Sequence, residues 1–300
     1  MSLSTFFEKA KTLPKQRLVV VAPEDEFVLS AVKKAKDVEL VTPILIGNKN
    51  AIIDKLTCLE ERADQYQIID ANPEEVAELA VKMIKEGNAD ILMKGLIDTR
   101  TLLKAVVNSE KGIKAQKLLS HIAVFSFPSE KYIIASDCAM NINPGIEEKK
   151  GIIENAAEFA QRIGIKHPKI ALISATEKPN PKLGSSMDAV ELTRFYKSEE
   201  NFLLEGPFAL DNIFSSVSRE HKNIESKVAE STDILIFPNL DSGNVFYKSA
   251  VFLGHAQAAG LIVGAKAPIV LTSRADSEKS KLNSIVLAMV YNYGLQNTSY

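Results

Sequence analysis

The sequence lacks a surplus of basic residues, because 36 lysines and arginines stand against 38 aspartates and glutamates in 300 residues. Proteins that neutralise many nucleic-acid phosphates normally carry a net positive charge, so nucleic-acid binding is not expected. A long hydrophobic run is also missing. The longest uncharged stretch, residues 249–265, has 17 residues and includes His255 and Gln257. It is too short and too polar to predict a membrane span.

Cysteine is scarce, and the familiar catalytic motifs are absent. Cys58 and Cys138 stand alone, so neither a disulfide framework nor a zinc site is expected. No G-x-G-x-x-G, P-loop, H-E-x-x-H, C-x-x-C or G-x-S-x-G motif occurs, which disfavours nicotinamide, P-loop, zinc and serine-hydrolase chemistry. The first fifteen residues show no apolar signal core. We therefore expect a cytoplasmic protein that needs neither a metal nor a resident cofactor.

What the sequence does contain is an alternation of short apolar runs with longer amphipathic segments. The runs rich in Val, Ile and Leu predict strands at 17–21, 42–46, 91–93, 121–127, 132–135, 169–173, 202–204, 234–237 and 268–271. Amphipathic segments between them predict helices, one of which covers residues 242–259. Strands alternating with helices predict an α/β fold with mostly parallel sheets. Pro128-Ser129, between two adjacent runs, allows a local antiparallel hairpin.

Polar residues follow five of the predicted strands, where ligands bind in open α/β sheets. They are Lys94 with Gly95, Ser136 with Asp137, Glu205 to Pro207 with Asp211, Asn239 with Lys248, and Ser273 and Arg274 with Asp276. Glycine, proline, asparagine and serine also form ordinary turns, so each site has a purely structural alternative. Ser273 could cap the last helix, and Arg274 could be a surface ion-pair residue. A serine and an arginine at a helix start also suit a bound phosphate.

Taken in order, these stretches resemble the phosphate acetyltransferase and butyryltransferase family. The resemblance runs from about residue 90 to the C-terminus. The matching stretches are Leu92 to Gly95 with Thr99, Leu119 to His121, Ser136-Asp137 with Asn141 and Pro144, Glu205 to Pro207 with Asp211, Pro238 to Leu240 through Gly243-Asn244 to Lys248, and Pro268 to Arg274.

The last matching stretch favours the butyryl branch of that family. Leu271 to Ser277, followed by Lys281 to Ile285, is similar to phosphate butyryltransferases. Acetyl-specific members place an aspartate, assigned as the general base, six residues after the arginine. Ser280 stands at that position here, and the nearest carboxylate is Asp276.

The resemblance implies two α/β/α domains with the active site in the cleft between them, a layout shared with isocitrate and isopropylmalate dehydrogenases. Residues 1–143 and 265–300 would form the first domain, and residues 144–264 would be inserted as the second. A homo-oligomer is expected. The substrates would be acyl-CoA, inorganic phosphate and acyl phosphate.

The resemblance also implies roles for the candidate residues. Arg274 is assigned to the phosphoryl group, Ser273 to the thiolate or oxyanion, and Asp276 to the base. Anion or CoA contacts are assigned to Lys94, Asn239 and Lys248, whereas Asp137 and Asp211 orient other groups. Three alternatives stay open: a phosphate acetyltransferase, a decarboxylating dehydrogenase on the same fold, and a CoA sensor without catalysis.

Overall fold

The computed structural model describes residues 3–115, 118–128, 132–272 and 276–297. Contacts between residues divide these ranges into two compact units. The first unit contains the described residues of Leu3–Leu119 and Ala258–Tyr300, and the second contains those of Ser120–Gln257. The second unit is therefore inserted, in sequence, into the first.

The described ranges contain eleven strands, numbered here in chain order. They are β1 Gln16–Val21, β2 Val41–Gly47, β3 Gln67–Asp70, β4 Ile91–Lys94, β5 Ser120–Ser126, β6 Ile133–Ser136, β7 Lys169–Ile173, β8 Leu203–Phe208, β9 Ile234–Ile236, β10 Gln257–Val263 and β11 Ile269–Val270.

Helices connect most of these strands. They are α1 Leu3–Lys11, α2 Glu26–Asp37, α3 Lys49–Cys58, α4 Val76–Lys85, α5 Thr99–Val106, α6 Ile146–Ile163, α7 Gly184–Phe195, α8 Leu210–Phe214, α9 Ser216–His221, α10 Lys227–Glu230, α11 Leu240–Phe252 and α12 Glu278–Asn297. A short 3₁₀ turn covers Ala63–Gln65. Within the described ranges, no helix combines the length and the apolar character that crossing a membrane requires.

In the first unit the strand order is β3-β2-β1-β4-β11-β10. Neighbouring strands are parallel except for β10 and β11, which are antiparallel. The strands are rich in Val, Ile and Leu, as expected for parallel strands that are covered on both faces. Leu18 to Val21 of β1, for example, are fully buried.

In the second unit the order is β5-β6-β9-β7-β8. β5 and β6 pair in antiparallel fashion, as the sequence around Pro128 allowed, and the other neighbours are parallel. The predicted α/β fold with mostly parallel sheets is confirmed.

Both boundaries of the second unit lie earlier in the chain than the sequence suggested. β6 pairs with β9, and β5 pairs with β6, so these two strands belong to the second unit and it begins at Ser120 rather than at 144. It ends at Gln257 rather than at 264, because Leu261 and Ile262 of β10 pair with β11 in the first unit.

The prediction of one helix over 242–259 is wrong in its second half. α11 ends at Phe252, where the backbone N–H groups of Leu253 and Gly254 both donate to the Ser249 carbonyl at 2.9 Å. His255 then adopts a left-handed φ of 52°. The uncharged residues that follow form strand β10, six of whose seven residues are buried.

A charged cluster in the first unit centres on Glu61, whose side chain is only 10% exposed. Its carboxylate accepts hydrogen bonds from Lys33 Nζ at 2.7 Å, Lys36 Nζ at 3.0 Å and Tyr66 Oη at 2.8 Å. Burial acts to raise the pKa of Glu61. The hydrogen bonds from Lys33, Tyr66 and Lys36 outweigh burial and lower the pKa from its usual 4.5 to about 2.

We predict that Glu61→Gln lowers the free energy of unfolding at pH 7 by about 1–3 kcal/mol. Because the folded-state pKa of Glu61 is depressed, this contribution is present above pH 4.5 and is lost as pH falls toward about 2. Urea unfolding at several pH values measures it. Glu60→Gln, at the exposed neighbouring position, should change stability by less than about 0.5 kcal/mol. Equal effects of the two substitutions at pH 7 would contradict the assignment.

Candidate functional site

In the first unit, the carboxyl ends of β1 and β4 approach each other closely. Gly95, directly after β4, donates its N–H to the Val21 carbonyl at 2.8 Å. A Cβ added at Gly95 would lie 2.0 Å from the backbone oxygen of Ala22, so only glycine fits. Lys94, the last residue of β4, is 7% exposed, and its Nζ donates to the Gly95 carbonyl at 3.2 Å. The predicted site residue Lys94 therefore brings a cation into the interior at this edge.

A second lysine, Lys281, lies at the same edge and was given no role by the sequence. It belongs to the first turn of α12, is 2% exposed, and donates from Nζ to the Asp276 carbonyl at 2.6 Å. The spacing of Lys281 from later apolar residues could have indicated that its side chain is buried. Lys281 lies on the same helical face as Ile285 and Ala288, four and seven residues further on, which are both buried.

The residues assigned to catalysis are only partly described. Ser273 and Arg274 lie outside the described residues, so their assignments stay predictions. Asp276 is half-buried just before α12, and its backbone oxygen is held by Lys281. Ser280, at the position where acetyl-specific members carry an aspartate, donates its backbone N–H to Ser277 Oγ at 3.2 Å. That bond caps the start of α12.

In the second unit, Asp137 follows β6 across a cis peptide bond and is 2% exposed. Its carboxylate accepts four hydrogen bonds from within that unit. The donors are His121 N at 3.0 Å, Ala139 N at 2.9 Å, Met140 N at 2.8 Å and Asn141 Nδ2 at 2.6 Å. These four hydrogen bonds to the Asp137 carboxylate fix the loop after β6 against the start of β5.

Asn239 begins a segment that packs against Asp137, although about a hundred residues separate the two in sequence. It caps α11 through a hydrogen bond from Ser242 N to its Oδ1 at 3.0 Å. One turn on, Gly243 packs against the backbone of Asp137, where an added Cβ would lie 2.2 Å from the carbonyl oxygen. Asn244 Nδ2 donates to the Cys138 carbonyl at 3.2 Å. The structure thus joins the loop after β6 to the start of α11.

Lys248 and Asp211 differ in their surroundings. Lys248, on α11, is partly buried, with Nζ 6.0 Å from the ring centres of both Tyr247 and Phe252. Asp211, on α8, is half-exposed and binds Lys222 Nζ at 2.8 Å. The hydrogen bonds from Lys222 and then Ser218 lower the pKa of Asp211. Within the described ranges, the side chain of Asp211 contacts Asn212, Ser218 and Lys222, which are not among the predicted site residues.

Two further predictions concern cysteines and metals. Cys58 is exposed and Cys138 is buried, and both are free thiols. Burial, and then the negative charge of Asp137, raise the pKa of the Cys138 thiol. In the ranges given above, no group of three or more His, Cys, Asp or Glu side chains is arranged to hold a metal ion.

The contact between Gly243 and Asp137 generates a stability prediction. We expect Gly243→Ala to lower the free energy of unfolding by about 1–3 kcal/mol, because its methyl group would overlap the Asp137 carbonyl. Gly184→Ala is a matched control at the first residue of α7, where nothing lies within 4 Å of an added Cβ. Alanine is the better helix former, so that control should be neutral or stabilising. Thermal unfolding of both variants tests the contact, and equal melting temperatures would refute it.

Comparison with known proteins gives consistent matches over nearly the whole chain. Residues 74–289 match the family model "Phosphate acetyl/butaryl transferase". A probable phosphate butyryltransferase of Bacillus subtilis is 40% identical over 293 residues, covering 96% of this chain and 97% of the relative. A phosphate acetyltransferase of Thermotoga maritima is 37% identical over 294 residues, covering 97% of this chain and 100% of the relative.

A solved structure agrees with these relatives. The branched-chain phosphotransacylase from Enterococcus faecalis superposes with a TM-score of 0.84 at 36% identity, covering 93% of this chain and 99% of that one. The family model spans more than half of the chain, and the relatives exceed 30% identity over almost all of it. The chain therefore belongs to the phosphate acetyl and butyryl transferase family.

Proposed function

We propose that the chain moves a short-chain acyl group, with butyryl preferred, between coenzyme A and inorganic phosphate, giving acyl phosphate and free CoA. The observation that carries this proposal is the 40% identity, over 96% of the chain, to a probable phosphate butyryltransferase. Family membership makes the chain a phosphate acyltransferase rather than a dehydrogenase or a sensor.

The acyl group is the finer part of the proposal. Support for butyryl comes from the similarity of residues 271–285 to phosphate butyryltransferases and from two further relatives of that name, at 38% and 36% identity. The branched-chain phosphotransacylase supports acceptance of branched groups as well. The acetyltransferase relative is nearly as similar, at 37%, and keeps acetyl as the alternative.

The chemistry requires a base and donors for negative charge. Toward acyl-CoA, the CoA thiol gives its proton to a base, and its sulfur attacks the carbonyl carbon of the acyl phosphate. The carbon–oxygen bond to phosphate then breaks, and phosphate leaves with the bonding electrons. A free thiol has a pKa of about 8.5, so a base or a nearby cation helps it ionise. The carbonyl oxygen becomes negative during attack and needs prepositioned donors.

We assign Arg274 to the phosphoryl group of the acyl phosphate, Ser273 to the thiolate or oxyanion, and Asp276 to the base. The support for these three roles is the resemblance of residues 268–274 and the place of Asp276 just before α12. Lys94 is a candidate for an anion contact, which its burial at the end of β4 supports.

The remaining assignments concern the second unit. Asn239 and Lys248 are candidates for CoA contacts. An orienting role for Asp137 is supported by its four hydrogen bonds to the loop after β6 and the start of β5. For Asp211, its ion pair with Lys222 supports a local structural role.

Three properties stay sequence-based predictions: a cytoplasmic location, a mechanism without metal or resident cofactor, and a homo-oligomeric state. The last is supported by apolar side chains exposed along one side of α11. Val245 and Phe252, seven residues apart on that helix, are 65% and 60% exposed, and Leu253 after it is 78% exposed. Burying such side chains against a second copy would be favourable.

Phosphate-dependent release of free CoA from a panel of acyl-CoAs tests the proposed function. Two extra methylenes, each worth about 0.8 kcal/mol when buried, should favour butyryl-CoA over acetyl-CoA by roughly 15-fold in kcat/KM. Activity should survive excess EDTA. A tenfold preference for acetyl-CoA would transfer the assignment to the acetyl branch, and loss of activity in EDTA with rescue by a divalent ion would refute the metal-free mechanism.

The role of Arg274 is tested by Arg274→Lys, which keeps the charge but removes the two-pronged contact to phosphate. Losing one charge-assisted hydrogen bond of about 1.5–3 kcal/mol should lower kcat/KM by roughly 10- to 150-fold. Arg62→Lys is the control, since Arg62 is exposed and pairs with Asp64, two residues away. Unchanged kinetics in a folded Arg274→Lys enzyme would mean that Arg274 does not hold the phosphoryl group.

A further inference from the structure

Two buried lysines of the first unit line the same small cavity. Lys94 comes from the end of β4 and Lys281 from the first turn of α12, with 7% and 2% exposure. The cavity has a volume of about 10 Å³ and is also lined by Thr272, Gly95, Leu96, Asp25 and Val28. Burying one ammonium group is unfavourable unless nearby negative charge compensates for it. Both lysines have carbonyl partners, and an anion in the cavity would compensate their charge further.

The position of the cavity in the fold is also that of a ligand site. Within the sheet, β1 lies between β2 and β4. From β1 the chain runs to β2, and β4 is the neighbour of β1 on the opposite edge. Loops leaving such neighbouring strands diverge and open a crevice at their carboxyl ends. Asp25 and Val28 follow β1, Lys94 to Leu96 follow β4, and Thr272 follows β11, so three strand ends contribute to this cavity.

The groups around the cavity carry charges of both signs. Among its lining residues in the described part of the chain are two lysines, Lys94 and Lys281, and one carboxylate, Asp25. Asp25 is also engaged in capping α2, where its Oδ1 accepts from Val28 N at 2.9 Å. Asp276, whose backbone carbonyl binds Lys281, adds a second carboxylate nearby. Burial lowers the pKa of Lys281 against the opposing effects of Asp276 and Asp25, so added negative charge would stabilise its ammonium form.

We propose that Lys94, Lys281 and Thr272 bind one oxygen of a phosphate group used in the acyl transfer. A cavity of this size holds one water-sized group, so it accommodates a single oxygen while the other atoms of the phosphate lie outside it. Lysine suits this role because its ammonium is a compact point charge. The inference rests on the proposed function and adds Lys281 to it as a binding residue. The phosphate is inorganic phosphate or one of the phosphates of CoA.

Lys281→Met and Lys94→Met test the subsite, because methionine keeps the length of the side chain but removes its charge. With inorganic phosphate and butyryl-CoA as substrates, the KM for phosphate should rise by about 10- to 150-fold, the effect of one lost charge-assisted hydrogen bond. The KM for butyryl-CoA should stay within about twofold. A rise in the KM for butyryl-CoA alone would support the same subsite with a CoA phosphate as its ligand.

Lys149→Met is the matched control. Lys149 is also 7% exposed, but it lies in the second unit and pairs with Asp188 at 2.5 Å. Its loss should lower the melting temperature without changing either KM. Thr272→Val, which is close in shape to the native residue, serves if a lysine variant does not fold, and it should raise the KM for the same substrate by a smaller factor. Unchanged KM values for both substrates in folded Lys281→Met and Thr272→Val enzymes would overturn the proposal.

Calorimetric titration with inorganic phosphate or with CoA, each alone, separates this proposal from the proposed function. An enzyme inactive on every acyl-CoA would contradict the function. In that case, phosphate or CoA binding that weakens in Lys281→Met but not in Lys149→Met would still support the subsite, and equal binding by the two variants would refute it.

Discussion

The buried carboxylate of Asp137 accepts hydrogen bonds from the loop after β6 and from His121 at the start of β5, and the candidate site of the second unit depends on this arrangement. Without it, the backbone N–H of buried His121 would lose this acceptor, at a cost of about 1–3 kcal/mol. The start of α11 packs against the backbone of Asp137, and the closest approach is at Gly243. One carboxylate and one glycine thereby help to position α11, the helix that Asn239 caps and that carries Lys248.

In the first unit, the loops at the strand ends are positioned by a close backbone contact and by buried lysines. Gly95 lets the loop after β4 lie directly on the end of β1, which carries Lys94 into the interior. Lys281 reaches the same cavity from α12 and holds the carbonyl of Asp276. Ser277 caps α12 through the N–H of Ser280. The start of the last helix is thus fixed on two sides next to the residue assigned as base.

Much of the fold could be predicted because the signals are local. The apolar run at 169–173 coincides with β7, and the hairpin of β5 and β6 follows from two runs separated by Pro128-Ser129. The helix expected over 242–259 failed because its uncharged second half suits either a helix or a buried strand. The turn at Leu253 to His255 and the pairing of β10 with β11 decided for the strand. The boundary at 144 failed for the same reason, since pairing of β6 with β9 is not a local property.

The sequence by itself determined the alternation of strands and helices, the polar residues that follow five of the predicted strands, and the motifs shared with the phosphate acyltransferases. These depend on residue type and spacing along the chain. Tertiary structure alone decided which of those residues meet. Asp137 touches Gly243 because β6 and β9 are neighbours, and Lys281 joins Lys94 because β11 lies beside β4. Strand order follows from packing between segments distant in sequence, so residue spacing did not reveal that a lysine in the last helix belongs to the candidate site.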